Sequence, residues 1–314
     1  MYFPYLHGRR SEFLALRAML HEGGSLNHFL PIIEPVNADA SDLLRCISTF
    51  DAAKKRVAVV LNSEKHELQG ESHLAWLQTV LPQVQQSKFV VPVFLCGPQT
   101  SIVKINQLMA EFSDRTVALM YSSASFSVAE LHGLAANASV EFHIILDGRM
   151  SDAQQALLPV EKRVDIRDCF NKQARNADYG GAEFFTDRHV TLTKFAGFGD
   201  YTSVGAEFNP GGGPAAAVAI HAIFKNAAGD IWVEHFVSDD THAHVGDAAS
   251  KYLQAAQKLV SAANARPDEF GSNFALDAYQ QNVANHHFPG LGTNKVQQLG
   301  HHMCLMLDVL EGAV

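Results

Sequence analysis

The stretch FVVPVFLCGPQTSIVKINQLMAEFS, residues 89–113, decides the fold. Its first eight residues are almost all apolar, the pattern of a strand buried on both faces. Gly97 and Pro98 break the run, and Thr100-Ser101 form a helix-start signal. Ile102, Ile105, Leu108, Met109 and Phe112 then recur at helical spacing. The stretch is one strand, one turn and one helix. Read outward, the same unit repeats. Strands are expected near 2–6, 29–34, 56–62, 116–121 and 140–146, with helices near 11–21, 41–53, 71–86, 127–137 and 151–158. Ser41-Asp42 and Ser151-Asp152 supply further start signals. Six consecutive strand–helix units imply a parallel sheet. Right-handed crossovers leave a doubly wound sheet or a barrel. The first strand is not followed by G-x-G-x-x-G, so the barrel is favoured.

The predicted fold class is therefore α/β, an irregular TIM-barrel-like (β/α)8. KRVDI (162–166) or TSVGAEF (202–208) would be the seventh strand and AVAIHAIF (217–224) the eighth. The run from Ala217 to Asp239 also reads as a hairpin turning at Asn-Ala-Ala-Gly. Helices are expected over about 247–264, 274–284 and 294–311. The economical organisation is one domain, with regular units over 1–160 and irregular units, hairpin and helices over 161–314.

Composition narrows the function classes. The 314 residues are 47% hydrophobic and 18% charged, enough for a sizeable core. The net charge of −9 argues against an extensive nucleic-acid surface, though a local basic pocket stays open. There is no apolar run of membrane-spanning length and no secretory pattern at the start. Cys46, Cys96, Cys169 and Cys304 lack paired spacing and read as reduced thiols, so a cytoplasmic location is expected. Eight of the 16 histidines fall between His221 and His302, which directs attention to the last third.

In (β/α)8 barrels the working residues come from the C-terminal ends of the strands. His7, Arg9 and Arg10 follow the first strand and Glu34 the second. Asn62, with Glu64 nearby, follows the third, and Asp147 and Arg149 the sixth. Arg175 and Asn176 of RNADY come later, then Asp200 and Tyr201 of GFGDY, and then His221 and His235. Two cations at a helix start oppose the dipole and suggest an anionic partner, which is either a ligand or an internal carboxylate such as Glu34 or Asp147. Glu34 has the alternative of capping a loop, and His221 that of a satisfied core histidine. In FPGLGTNK, Gly290, Gly292 and Lys295 stand at a turn-to-helix junction able to cradle an anion; the alternative is a packing turn. HFVSDDTHAHVGD has spacing compatible with a metal, but reads as a polar loop, so no metal ligands and no cofactor are assigned. NPGGGPAAAV (209–218) reads as a flexible loop, with a lid as one use for it.

Taken together, these motifs resemble the Beta family of bacterial and phage proteins, in the branch found in bacterial defence-type gene pairs. The likeness rests on YFPYLHGRRSEFLAL and PIIEP at the start, then RNADY, GFGDY, AVAIH, HFVSD and FPGLGTNK followed by His301-His302. The family usually carries lysine and a Gly-Glu pair in the first-strand stretch; here Glu12 is the match and the cations are the departure. The resemblance implies a barrel-type protein acting in phage or mobile-element conflict, often beside a nuclease-like partner.

The resulting expectation is a barrel mouth that binds a phosphate-containing small molecule or nucleotide. If the protein is an enzyme, phosphoester hydrolysis suits best. Arg9, Arg10 and Lys295 would hold the anion, Glu34 or Asp147 would act as base, and His221 or His235 as acid. The rivals are a non-catalytic sensor or regulatory module acting with a nuclease-like partner, and a metal-dependent enzyme using the C-terminal histidines.

Overall fold

The computed structural model describes residues 1–123, 125–211, 216–243 and 245–314. They form two compact units: residues 1–13, 26–168 and 190–201 make the first, and residues 14–25, 169–189 and 202–314 the second.

The first unit is an eight-stranded parallel barrel. In sheet order its strands are β1 (Tyr5–Leu6), β2 (Ile32–Ile33), β3 (Val57–Val60), β4 (Val90–Cys96), β5 (Val117–Tyr121), β6 (Val140–Leu146), β7 (Arg163–Arg167) and β9 (Gly197–Asp200). Helices α1 (Arg10–Glu22), α2 (Ser41–Ala53), α3 (Glu71–Gln86), α4 (Ile102–Ala110), α5 (Val128–Ala135) and α6 (Asp152–Gln155) alternate with them. Tyr2 closes the ring, bridging both Phe29 and Phe198 in parallel. The β1 and β2 ladders are shorter than the apolar runs because Pro4 and Pro31 have no N–H to give. Two of the three expected helix starts follow their chemistry; at the third, Ala40 holds the cap position with no side-chain cap, and Asp39 accepts from Ser41 N. Ser101 accepts from Lys104 N, and Ser127 and Ser151 each form a complete capping box.

Strand register sorts the side chains. Tyr5 lies beside Ile32, Ile32 beside Ala58, and Ala58 beside Val91. Further round, Ala118 lies beside Phe142, Ile144 beside Val164, and Val164 beside Gly197. Paired residues of parallel strands share a face, so these fill the interior with Phe3, which meets Phe142 edge-on at 5.2 Å.

The eighth barrel strand is β9, which corrects the assignment of AVAIHAIF to that place. A GFGD segment carries little strand propensity. It is used because the start of the chain passes so close: a Cβ on Gly199 would lie 1.9 Å from the Phe3 carbonyl oxygen, and one on Gly197 2.3 Å from the Met1 carbonyl oxygen and 2.4 Å from the Phe3 ring.

Between β7 and β9 the chain supplies β8 (Gly181–Thr186) to the second unit, then forms the short helix α7 (Arg188–Thr191). In that unit β10 (Ala219–Lys225), β11 (Ile231–Val237) and β8 make an antiparallel sheet in the order β10-β11-β8. AVAIHAIF thus forms the expected hairpin, turning at Asn226–Gly229. Helices α8 (Ala248–Ala265), α9 (Pro267–Phe270), α10 (Phe274–Ala284) and α11 (Leu291–Glu311) complete the unit. Ile220, Ala222, Phe224, Tyr252, Ala256, Leu259, Phe270 and Tyr279 share its core. The free edge of β10 is covered by α11. Gln298 Oε1 accepts from His221 N at 3.0 Å, and His301 Nε2 donates to Ile223 O at 2.8 Å. An edge strand left open would invite pairing with another chain.

No helix among the described residues is long and apolar enough to cross a membrane.

Candidate functional site

At the C-terminal strand ends of the barrel, Glu34 is the centre of a buried polar network. It lies two residues beyond inward-facing Ile32 and is 5% exposed. Its Oε1 accepts from Ser63 Oγ at 2.8 Å and its Oε2 from Lys65 Nζ at 2.7 Å. His7 Nδ1 stands 3.6 Å from Oε2 and 3.5 Å from Lys65 Nζ. Burial alone would push the Glu34 carboxyl up. His7, Lys65 and Tyr5 outweigh it and hold the carboxyl down at about 2. A carboxylate held so firmly, with both oxygens occupied, is a poor proton acceptor. Its place suits orientation of His7 and Lys65 better than the expected role of base.

Glu12 also lies beside His7. Its carboxyl is pushed up by burial, against the opposing pull of the Arg9 and His7 backbone N–H groups. The Arg9 N–H donates to Glu12 Oε2 at 2.7 Å. Arg10 is exposed at the helix start, on the same β1–α1 connection as His7.

Asp147 reaches this end by a backbone device. Its left-handed φ of 43°, followed by Gly148 at 64°, breaks strand alternation. Asp147 Oδ1 accepts from Asp168 N at 2.6 Å, and Oδ2 from Tyr201 OH at 3.0 Å. The Tyr201 ring lies 4.8 Å from that of Tyr5 and stacks on His7 at 6.4 Å. The Tyr5 hydroxyl titrates well above its usual range through burial, then through the charges of Glu34 and Asp147. Residues from β1, β2, β6 and β9 thus meet at Tyr5.

Asp200 does not join them. It follows Phe198 on the outward face of β9, fully buried, and accepts from Tyr2 OH at 2.9 Å. Arg149 is exposed on the turn after β6.

The second unit gathers the other candidates. His221 and His235 face each other across β10 and β11, and their Nδ1 atoms are 2.8 Å apart. His235 Nε2 lies 3.3 Å from Glu183 Oε1 on β8, and the Tyr179 ring covers both imidazoles at 4.5 and 4.9 Å. His221 titrates well below its usual value through burial, then through His235 and Lys295. His221 lines a cavity of about 200 Å³ with Asn176, Asn294, Lys295 and Gln298. Arg175 instead forms an exposed pair with Asp178 at 2.6 Å. Gly290 and Gly292 begin α11, and a Cβ on either would meet open space.

Among the described residues no three His, Cys, Asp or Glu side chains group as a metal would require. His244 and residues 212–215 of the glycine-rich stretch lie outside the described residues.

Sequence reasoning singled out Asn62 and Glu64 on the third connection and missed Ser63 and Lys65. Asn62 is used structurally, exchanging hydrogen bonds with Leu95 N and O, and Glu64 is exposed. A usable signal existed: a glutamate at an inward strand position needs a cation, and Lys65 is the nearest on the neighbouring connection. Glu183, Tyr179 and Gln298 were also missed, since nothing local marks them. Comparison of the sequence with family models gives no match, and comparison with curated proteins gives none either.

Proposed function

We propose that the protein binds an anionic, phosphate-containing ligand at the C-terminal ends of its barrel strands and cleaves a phosphoester in it. The resemblance to the Beta family supports a setting in phage or mobile-element conflict. One observation carries the chemical reading: buried Glu34 gathers Lys65 and His7 at the face where barrels place their chemistry. Lys65, about one-third exposed, presents the cation, with Arg9 and Arg10 on the adjoining connection. His7 transfers the proton, and Glu34 positions both. The test is hydrolysis of p-nitrophenyl phosphate and bis-p-nitrophenyl phosphate by wild type, His7→Gln and Lys65→Ala, with thermal melts in parallel. Turnover by wild type and a loss of roughly 100-fold or more in both folded variants are expected. Absence of turnover in the wild type removes the hydrolase reading.

A second reading is a non-catalytic binding or sensor module working with a nuclease-like partner. It is favoured by the burial of His7, Glu34 and Tyr201, each no more than 5% exposed. Ligand binding without turnover would support it.

A further inference from the structure

We propose that the cavity of the second unit is a separate site for inorganic phosphate, selecting it by the proton it still carries at neutral pH. The inference goes beyond the barrel-mouth function proposed above and uses none of the residues that proposal retains, although Lys295 and His221 were first expected at the barrel mouth.

The argument begins with His235. An ionised carboxylate can only accept, so the contact with Glu183 places a proton on His235 Nε2. With His235 neutral, its Nδ1 is a lone pair, and the short contact to His221 needs one proton between the rings. That proton sits on His221 Nδ1. The Nε2 of His221 is then an unprotonated acceptor with no hydrogen-bond partner among the described residues. Burial and the neighbouring cation at Lys295 both keep His221 neutral. The residue is 93% buried (7% exposed), yet it lines the cavity.

Of the other polar side chains at the cavity, three offer donors, while Asn176 spends its amide N–H on Ala217 O and keeps its Oδ1 as an acceptor. Gln298 uses its Oε1 to accept from the His221 backbone, which leaves its Nε2 amide to donate. Asn294 uses its Oδ1 to accept from Tyr279 OH at 2.7 Å, which leaves its Nδ2. Both side chains are nine-tenths buried or more, at 4% exposed each. Lys295 adds a cation, and Leu291 marks the first residue of the 21-residue helix α11, whose amino end favours an anion. The second lone pair of each amide oxygen is secondary to this arrangement.

Several donors beside the His221 nitrogen and the Asn176 oxygen match a small oxyanion that retains at least one hydrogen. The two inorganic phosphate species present near pH 7 retain two hydrogens and one. Sulfate has none, and a phosphate monoester is largely a dianion without one. A bare acceptor facing a sulfate oxygen would set two lone pairs against each other. The volume of about 200 Å³ suits an ion of this size better than a nucleotide.

The test is calorimetric titration at pH 7 with inorganic phosphate, sulfate and glycerol phosphate, on wild type, Lys295→Ala, His221→Gln and Lys65→Ala. Wild type is expected to bind phosphate at least tenfold tighter than sulfate or the monoester. Lys295→Ala should weaken phosphate at least tenfold, and His221→Gln should erase the preference over sulfate. Thermal melts identify any variant that fails to fold, and the wild-type preference stands without the variants. Equal binding of sulfate, or phosphate affinity unchanged by Lys295→Ala, overturns the proposal. Phosphate binding lost in Lys65→Ala but kept in Lys295→Ala overturns it while leaving the barrel-mouth reading intact.

Discussion

The barrel and the second unit bury polar groups by opposite means. In the barrel, charge is kept and paired. Glu34 meets Lys65, and at the other end of the strands, closer to solvent, Arg56 holds Glu141 through two hydrogen bonds of 2.8 and 2.6 Å. In the second unit, titratable and polar groups are mostly kept neutral and joined in chains. His221 bonds His235; Asn282 bonds Tyr252, which bonds Gln297; Tyr279 bonds Asn294. Lys251, resting its ammonium on the carbonyls of Ala216 and His242, and Arg266, paired with Glu234, are charged exceptions. A paired charge is costly to break because the remaining partner is stranded. A neutral chain loses less per link, but gives way when a proton is forced onto it.

The largest expected effect follows from stranding a charge. Glu34→Ala leaves Lys65 and His7 without their shared carboxylate and should cost on the order of 3–4 kcal/mol, read from urea unfolding. A loss below about 1 kcal/mol would show that the barrel network is solvent-screened and that the contrast with the second unit is false.

Acid should act next, through buried histidines kept neutral. His301 in the second unit is held down at about 4 by burial, against the carbonyl of Ile223. Its folded value lies below the ordinary 6.5, so the unfolded chain takes up the proton first. Stability present above pH 6.5 is lost as pH falls towards 4, by roughly 3 kcal/mol at about 1.4 kcal/mol per unit. Glu34, depressed to about 2, gives up its share only below the ordinary 4.5. Urea midpoints measured from pH 7 to 4 should therefore fall, and His301→Gln should flatten that fall. An identical slope in the variant would place the acid sensitivity elsewhere. His143, held at about 4 on β6 and bonded to Tyr121 OH at 2.9 Å, is the barrel's own contribution.

The smallest effect belongs to a single neutral link. Tyr279→Phe removes the hydroxyl that reaches Asn294 and should cost about 0.5–1.5 kcal/mol. The loss should be the same at low and high salt, whereas that of Lys65→Met should shrink with salt.

Much of the architecture was readable because most strand–helix units obey local rules. Helices 41–53, 71–86 and 274–284 end where the sequence places their ends. The eighth barrel strand was hidden because GFGD owes its place to the close approach of the backbone and ring around Phe3, nearly two hundred positions away. AVAIHAIF took its place in the reading because its apolar content suits a barrel or an antiparallel hairpin equally. β8 went unread because GAEFFT pairs with a strand made later in the chain. At the site, Glu34, His7, Asp147 and Tyr201 were legible as strand-end residues. The role of Lys65 depends on how far a connection folds back, which spacing alone does not encode. Asp200 was misplaced because it was grouped with its neighbour Tyr201, although strand alternation turns the two to opposite faces.

The bridge from Tyr2 to Phe198 also sets a timetable. Tyr2 and its partner Asp200 are 198 residues apart in the chain, so the amino-terminal strand leaves the ribosome long before its second neighbour exists. Each new strand–helix unit extends the sheet at its far edge, while the first edge stays open throughout. A high contact order of this kind makes closure the late step of folding. The nascent protein passes much of its synthesis as an unsealed sheet, and that interval is when it is most exposed to pairing with the wrong chain.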